Sequence, residues 1–219
     1  MKIRYLAHSA FLLTSDKGIR LLTDPYESGS YGGSLNYRKI DEPADAITIS
    51  HNHADHNYIS REHDRARVFR EPGRFSFKGL AVRGTGLYHD TSRGSERGGN
   101  VVFTCLMDGI TLCHLGDLGH VPDAREAKEI GPVDVLMIPV GGTFTVNAEE
   151  AWMVVEKLSP KICLPMHYRT KGVAFNLAPL ERFTSEREGV RVLGGSEAEI
   201  TKSVLPVQTE VWVLKPAKL

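Results

Sequence analysis

The feature that most constrains this chain is a cluster of metal-binding residue types directly after a short β-branched segment. Residues 45–50 predict a strand, and the next six residues are His51-Asn52-His53-Ala54-Asp55-His56. The chain has nine histidines in 219 residues, so three of them within six positions is a marked concentration. Imidazole nitrogens and carboxylate oxygens are common ligands of zinc, manganese and iron. The segment therefore predicts a metal site at the end of a strand.

The spacing within this cluster favours convergence of its side chains. His51 and His53 lie two residues apart and point to the same side of an extended backbone. Beyond the strand we expect a helix to begin, in which His53 and His56, three residues apart, share one face. Asp55 lies four residues after His51 and falls near the same face. The alternative, a solvated surface turn, fits poorly with the apolar strand that precedes the cluster.

Four neighbouring ligands suit more than one metal ion, because a catalytic tetrahedral site needs three protein ligands and a water. Further ligands are expected from loops that follow other apolar segments. The candidates are His89, Asp117 and His167, each at or just past the end of such a segment. Each residue alone is more typical of an ordinary polar loop. Together with the cluster, they supply the ligands that a second ion would require.

The rest of the chain predicts one domain, residues 1–219, of mixed α/β class. Short apolar runs separated by turn residues predict an early hairpin (9–14 and 19–23) and further strands at 80–82, 101–104 and 110–112. Helix start and stop signals predict helices at 122–130, 148–158 and 179–188. Continuous apolar runs predict strands at 133–140, 161–165 and 208–214.

The charge balance and the apolar segments exclude several classes of partner. Twenty-seven basic residues balance 27 acidic ones, so no net field attracts nucleic acid or an anionic membrane. No apolar run is long enough to span a bilayer, and no signal-peptide pattern stands near Met1. We therefore expect a cytoplasmic protein with a small-molecule substrate and no nucleic-acid or membrane partner. A homo-oligomer is left open. The three cysteines are expected to be reduced and buried.

The ordered motifs from His8 to His167 resemble the metallo-β-lactamase-fold superfamily. Within it, the chain resembles the single-domain branch that includes ascorbate-6-phosphate lactonase. The matching motifs are His8-Ser9-Ala10-Phe11-Leu12, Thr23-Asp24-Pro25, the histidine cluster, His114-Leu115-Gly116-Asp117-Leu118-Gly119-His120, Pro139-Val140-Gly141-Gly142 and Pro165-Met166-His167-Tyr168. The resemblance implies a four-layer αβ/βα sandwich with metals at one edge.

The same resemblance implies two divalent transition-metal ions and a division of the ligands between them. It assigns His51, His53 and His89 to one ion, Asp55, His56 and His167 to the other, and Asp117 to both. Zinc is the favoured metal, with manganese and iron as alternatives. The implied reaction is hydrolysis of a small anionic ester, lactone or similar substrate by water activated between the ions. Asp55 and Asp117 are the expected catalytic residues.

Two other functions stay open at this point. The first is a phosphodiesterase or nuclease of the same fold, although the neutral charge disfavours a nuclease. The second and weaker alternative is a non-hydrolytic di-iron redox protein. That branch carries Glu where His53 stands here, and this chain has no room for the fused flavin domain found there.

The remaining histidines have less specific interpretations. His8 is expected to be a hydrogen-bonded histidine near the metal edge more than a ligand. His114 is expected in a satisfied, partly buried position, and His63 at the surface. His120 is a candidate substrate contact and an alternative to Asp55 as the group that assists proton transfer.

Three charged residues are candidate supporting groups. Asp24 either orients a ligating histidine or only forms the turn before Pro25. Arg169 and Lys171 follow His167 closely, so they are candidate contacts for an anionic substrate. The alternative for both is a solvated charged loop.

Overall fold

Fourteen β-strands make up most of the regular structure in the computed structural model, which describes residues 1–219. In chain order they are β1 (Lys2–Ala7), β2 (Ala10–Thr14), β3 (Arg20–Thr23), β4 (Ala46–Thr48), β5 (Arg67–Phe69), β6 (Gly73–Phe77), β7 (Leu80–Tyr88), β8 (Gly99–Met107), β9 (Ile110–His114), β10 (Val135–Pro139), β11 (Ile162–Met166), β12 (Val190–Val192), β13 (Glu197–Glu199) and β14 (Glu210–Val213). The helices are α1 (Ala124–Ile130), α2 (Ala148–Leu158) and α3 (Glu181–Thr184), with 3₁₀ turns at Tyr31–Gly33, Arg61–His63 and Lys202–Val204.

The strands form two sheets. The six-stranded sheet has the order β13-β1-β2-β3-β4-β5, and the eight-stranded sheet has the order β12-β14-β11-β10-β9-β8-β7-β6. Neighbouring strands are antiparallel from β1 to β3 and from β6 to β9. By contrast, β3, β4 and β5 are parallel, as are β9, β10, β11, β14 and β12. Two sheets with few helices confirm the predicted mixed α/β sandwich.

The central strands β2, β3 and β4 of the six-stranded sheet are buried on both faces, which explains their nearly continuous apolar sequences. Phe11 and Leu13 of β2 enter a large core shared with the eight-stranded sheet, while Ala10 and Leu12 enter a second core on the opposite face. Alternate residues of a strand point to opposite faces, so one short run serves both cores. The second core is closed by loop side chains, among them Tyr26, Leu35, Tyr37 and Ile40.

The first two helices begin at capping boxes that the sequence already displays. Asp123 caps α1 with Glu126 reciprocating, and Asn147 caps α2 with Glu150 in the same role. Removing such a cap costs about 1 kcal/mol. The predicted helices at 122–130 and 148–158 are thus confirmed within two residues. None of the three helices has the length and apolar content that crossing a bilayer requires.

Two helix predictions differ from the structure. The helix expected to begin within the histidine cluster is wrong, because residues 51–56 form turns in which the His56 N–H donates to the His53 carbonyl at 2.9 Å. The Asp55 side chain is held by residues distant in the chain, Tyr31 at 2.8 Å and His8 at 3.1 Å, and not by a helical face. The helix predicted at 179–188 shrinks to the four residues of α3, since the chain becomes extended at Ser185 and left-handed at Glu186.

The strand ends place six loops at one edge of the sandwich. Strands β1, β3 and β4 of the first sheet run in one direction, as do β7, β9 and β11 of the second. Polar loops gather at the carboxyl ends of such strands. Backbone hydrogen bonds join the two edges, from the His167 N–H to the His8 carbonyl at 2.9 Å and from the Val101 N–H to the Ser50 carbonyl at 2.8 Å.

Candidate metal centre

All seven predicted metal ligands come together at this edge, and the Asp117 carboxylate lies between them. Its Oδ2 is 3.4 Å from His89 Nε2, 3.4 Å from His167 Nε2 and 3.9 Å from His51 Nε2. Its Oδ1 is 3.3 Å from His56 Nε2. Asp117 therefore reaches imidazoles of both ligand groups, which is the placement expected of a bridging carboxylate.

The remaining side chains fall into two compact groups. In each group the possible ligand atoms lie within 4.8 Å of one another: one contains His51, His53 and His89, and the other contains His8, Asp55, His56 and His167. These two groups correspond to the two ligand sets that the sequence resemblance implies, and a third group, Asp24 with His51 and His56, overlaps both. His8 is the addition, and its Nε2 lies 3.1 Å from Asp55 Oδ2.

Several buried atoms of these residues have no hydrogen-bond partner in the protein. They include Nε2 of His51, Nε2 of His56 and Oδ1 of Asp117. A buried polar atom without a partner costs about 1–3 kcal/mol, so native proteins seldom leave several of them side by side. Nitrogen and oxygen lone pairs gathered in this way fit the donor set of a transition-metal cation.

A buried carboxylate, Asp24, fixes the orientation of two of these histidines. Its Oδ2 accepts a hydrogen bond from His56 Nδ1 at 2.8 Å and from the Ser50 hydroxyl at 2.5 Å, and its Oδ1 accepts from the Ser50 N–H at 2.8 Å. The Ser50 oxygen lies 2.9 Å from His51 Nδ1. With both Nδ1 atoms engaged, the Nε2 lone pairs of His51 and His56 stay free for a cation. This geometry fits the orienting role considered for Asp24.

The charge states of His51, His167 and Asp117 suit cation binding at neutral pH. Burial lowers the pKa of His51 and of His167 to about 3, so both imidazoles are neutral. Burial alone would raise the pKa of Asp117, but the neighbouring His167 and His56 outweigh it and hold that pKa well below its usual range. Neutral His51 and His167 beside an ionised Asp117 are protonation states that a metal requires. At His56 the Asp117 and Asp55 charges outweigh burial and raise the pKa well above its usual value, so a cation binding there displaces a proton.

Three residues at the site hold a left-handed backbone that is uncommon outside glycine. The φ angles are 55° at His8, 40° at Asp24 and 52° at His167. Each residue comes directly after a strand, where the chain turns sharply. Such conformations cost about 1–3 kcal/mol each and cluster at functional sites.

Comparison with known proteins agrees with this geometry. The family model described as a beta-lactamase superfamily domain matches residues 2–167. The chain belongs to the metallo-β-lactamase superfamily. A UPF0173 metal-dependent hydrolase of Carboxydothermus hydrogenoformans is 33% identical over 196 residues, which cover 78% of this chain and 85% of the relative. The superfamily and these relatives establish the chain as a metal-dependent hydrolase.

One solved structure of the superfamily supports the same assignment, and a second shares the fold. A crystal structure from Thermotoga maritima, described as a candidate zinc-dependent hydrolase of this superfamily, is 32% identical, with a TM-score of 0.78 and 97% coverage of both chains. Igni18 of Ignicoccus hospitalis, described as a metallo hydrolase, is 20% identical, with a TM-score of 0.68 and coverage of 98% of this chain and 95% of Igni18. The latter likeness shows the shared fold.

Several supporting residues of this superfamily site were missed by the sequence reasoning. Asp90 follows His89, and its carboxylate accepts four backbone N–H groups of the next loop, from Ser92, Gly94, Glu96 and Arg97. Asn100 accepts the Asp117 N–H at 2.9 Å and donates to the Leu115 carbonyl at 2.8 Å. An Asp before a Gly- and Ser-rich loop is a turn signal that could have identified Asp90. No local pattern identifies Asn100.

Tyr31 is a further contact that the sequence did not indicate. Its hydroxyl donates to Asp55 Oδ1 at 2.8 Å, although 24 residues separate the two. Burial, followed by the Asp55 charge, raises the pKa of Tyr31 to about 12, so the hydroxyl stays a donor at neutral pH. Asp55 is thus held at both oxygens, by Tyr31 and by His8.

Two glycines of the matched motifs permit close backbone contact at the ligands. A Cβ at Gly119 would lie 2.3 Å from the Asp90 nitrogen and from the His89 carbonyl carbon, and a Cβ at Gly141 would lie 2.1 Å from the His167 oxygen. Both separations are far below van der Waals contact. Any side chain at either position would displace the loop that carries a ligand.

The structure does not bring every predicted residue to the cluster. His120 Nε2 lies 3.2 Å from Glu126 Oε2 in the first turn of α1, and its ring faces Tyr88. Arg169 and Lys171 are exposed and make no ion pair. Substrate contact by these three residues stays a prediction.

Two other histidines, His63 and His114, are buried and hydrogen-bonded away from the candidate ligands. The surface position predicted for His63 is wrong, because the side chain is buried between the Ser60 hydroxyl and the Glu42 carbonyl, each at 3.0 Å. His114 is buried as expected, and its Nε2 lies 2.8 Å from the Ser9 carbonyl.

Proposed function

We propose that this hydrolase holds two divalent transition-metal ions, with zinc favoured, and cleaves a small anionic ester or lactone. The observation that carries the proposal is the Asp117 carboxylate between two groups of ligand atoms, several of them buried without partners. One catalytic ion needs only three protein ligands. Seven converging side chains exceed that need and match two ions.

Each side chain has a defined place in this proposal. One ion would be held by His51, His53, His89 and Asp117, and the other by Asp55, His56, His167 and Asp117. When bound, such ions lower the pKa of water so that it attacks as hydroxide at neutral pH, and they offset the negative charge that develops on the substrate. Five imidazoles, two carboxylates and no thiolate are compatible with zinc, manganese and iron, so metal analysis decides among them.

The two carboxylates position the attacking water. Asp117 faces both ligand groups, so its charge lies close to where the nucleophile forms. Asp55 is fixed by the Tyr31 hydroxyl on Oδ1 and by His8 on Oδ2. An anchored carboxylate of this kind accepts a hydrogen bond from the water and holds it toward the substrate carbon. The His120 side chain contacts Glu126 at 3.2 Å, so Asp55 is the better candidate for assisting proton transfer.

The proposed substrate follows from the charge distribution. The chain carries no net charge, and an extended nucleic acid would find little attraction across its surface. Two cations would nevertheless make the cluster locally positive, which favours a compact anion. Arg169 and Lys171, exposed two and four residues after His167, add positive charge close by in the chain.

A cytoplasmic location is proposed because all three cysteines are buried and unpaired.

Metal analysis combined with a substrate panel tests the proposal. The purified protein is stripped of metal and titrated with zinc, manganese and iron, and we expect close to two equivalents per chain. Reconstituted protein is then assayed on lactones, thioesters, carboxylate esters and phosphodiesters. We expect His53→Ala and Asp117→Ala to abolish turnover while circular dichroism shows the fold retained, since both side chains lie past strand ends.

Three outcomes would contradict parts of the proposal. Binding that never exceeds one equivalent removes the second ion. Near-native turnover by either variant removes the ligand assignment. Efficient cleavage of long RNA or DNA, with steep dependence on salt, replaces the small substrate with a nucleic acid.

A further inference from the structure

Three aromatic side chains that are not among the proposed metal ligands stand together beside the ligand cluster. The Tyr31 and Phe175 ring centroids lie 5.3 Å apart at 80°, and the Phe144 and Phe175 centroids lie 6.0 Å apart at 82°. We call Tyr31, Phe144 and Phe175 the aromatic wall. Large aromatic side chains normally bury their surface, yet Tyr31 is 47% exposed and Phe144 is 38% exposed.

The aromatic wall is continuous with the candidate metal centre. The Tyr31 hydroxyl donates to Asp55 Oδ1 at 2.8 Å, so one end of that ring touches a proposed ligand. The Phe175 ring lies 6.3 Å from the His8 ring, which in turn lies 4.2 Å from the His167 ring. The exposed rings therefore begin at the cluster and extend toward solvent. A substrate whose scissile bond lies at the metals would have its adjacent group beside them.

The three loops that carry the aromatic wall are tied together by hydrogen bonds. The Thr143 hydroxyl donates to the Asn176 carbonyl at 2.5 Å, which joins the Phe144 loop to the Phe175 loop. The Ala174 N–H donates to the Ser34 carbonyl at 2.8 Å, which joins the Phe175 loop to the Tyr31 loop.

The backbone of the aromatic wall is also held in uncommon conformations. Tyr31 and Thr143 have positive φ angles of 52° and 64°, which are unfavourable for residues with a Cβ. Such conformations persist where the surrounding structure enforces them. The wall is thus formed before any ligand arrives, which reduces the cost of ordering it on binding.

We infer that the aromatic wall binds an aromatic ring of the substrate, which narrows the substrate to an anionic ester or lactone with a ring next to the scissile bond. This inference rests on the proposed function. Rings arranged edge to face leave faces and edges available to a further ring, in the geometry that aromatic pairs prefer. An aliphatic group would gain contact area but not that geometry.

Two phosphonates that differ only in the ring test this inference. Phenylphosphonate and methylphosphonate carry the same anionic head group, and each is titrated into the zinc-loaded protein by calorimetry. We expect phenylphosphonate to bind about tenfold more tightly. Phe144→Ala and Phe175→Ala should each reduce that ratio to about twofold, and Phe144→Leu, which keeps apolar area without a ring, should reduce it partly. Met153→Ala, at a 55% exposed position on α2, is the control and should leave the ratio unchanged.

The outcomes separate this inference from the proposed function. Equal affinities for the two phosphonates, or a ratio that Phe144→Ala leaves intact, overturn the aromatic wall while the metal site stands. Failure of the zinc-loaded protein to bind either phosphonate overturns both. Phe175 is only partly exposed, so Phe175→Ala could impair folding; the exposed Phe144 then decides the result.

Discussion

Replacing Asp24 with asparagine should weaken metal binding at both proposed sites although Asp24 is not itself among the seven ligands. The carboxylate is completely buried and holds His56 directly and His51 through the Ser50 hydroxyl. The proposed function assigns these two histidines to different ions, although both also lie within ligand distance of Asp24. Asparagine keeps the size of the side chain but removes the negative charge that accepts the proton of His56 Nδ1. That change frees His56 to protonate at Nε2, the atom that would bind the ion.

The expected loss of metal affinity depends on how many ligating histidines lose a hydrogen-bond partner. Losing an outer partner of a metal-binding histidine typically lowers metal affinity 10- to 100-fold, or about 1.4–2.8 kcal/mol. Asp24→Asn should reach that range at each site, because it disturbs one histidine of each group. Ser50→Ala removes the hydroxyl that contacts His51 and Asp24 but keeps the direct hydrogen bond between Asp24 and His56, so it should weaken one site more than the other.

Competition with a chromogenic zinc chelator measures both steps of binding. The metal-free protein, Asp24→Asn and Ser50→Ala are each titrated, and two stepwise affinities are fitted. Asp45→Asn is the matched control, since it removes a carboxylate that pairs with Lys78 at the surface, 2.8 Å away. Unchanged stepwise affinities in Asp24→Asn would refute the reasoning. Equal weakening of both sites by Ser50→Ala would refute the assignment of His51 to a single site.

Three further outcomes are expected. Backbone N–H donors outweigh burial and lower the pKa of Asp90 from 3.8 to about 2. The ionised Asp90 carboxylate therefore stabilises the fold fully above pH 3.8, and this stabilisation declines as the pH falls toward 2. Urea unfolding should show Asp90→Asn destabilised at pH 7 with the difference narrowing below pH 4; a constant difference down to pH 3 would contradict this. Tyr31→Phe removes the hydroxyl that holds Asp55 and should raise one of the two zinc dissociation constants, which the chelator assay measures. It should leave the ratio of phenylphosphonate to methylphosphonate affinity unchanged in calorimetry, because the ring remains. Neutralising Arg169 and Lys171 together should raise KM for an anionic substrate more than for a neutral analogue, and equal effects in steady-state kinetics would exclude these residues as anion contacts.

The sequence by itself identified the candidate ligands, because metal binding requires particular residue types and these stand directly after apolar runs. His51, His89, Asp117 and His167 each lie just beyond a strand, where the two sheets open to one edge. The helix starts at Asp123 and Asn147 could also be predicted from the sequence, because a capping residue satisfies backbone N–H groups within its own turn. Hydrophobic periodicity and local capping signals were therefore enough to predict the fold class and the strands and helices next to the candidate site.

Only the tertiary structure decided how those ligands are oriented and what lies beside them. Asp24 reaches His56 across 32 residues, Tyr31 reaches Asp55 across 24, and Asn100 reaches Asp117 across 17. Contacts of this kind join separate strand ends, so no spacing in the chain reveals them. The turns at residues 51–56 replaced a predicted helix for a related reason: the side chains are held by distant partners and not by a helical face. Local sequence selects an element's type, whereas packing of the two sheets selects which loop side chains meet.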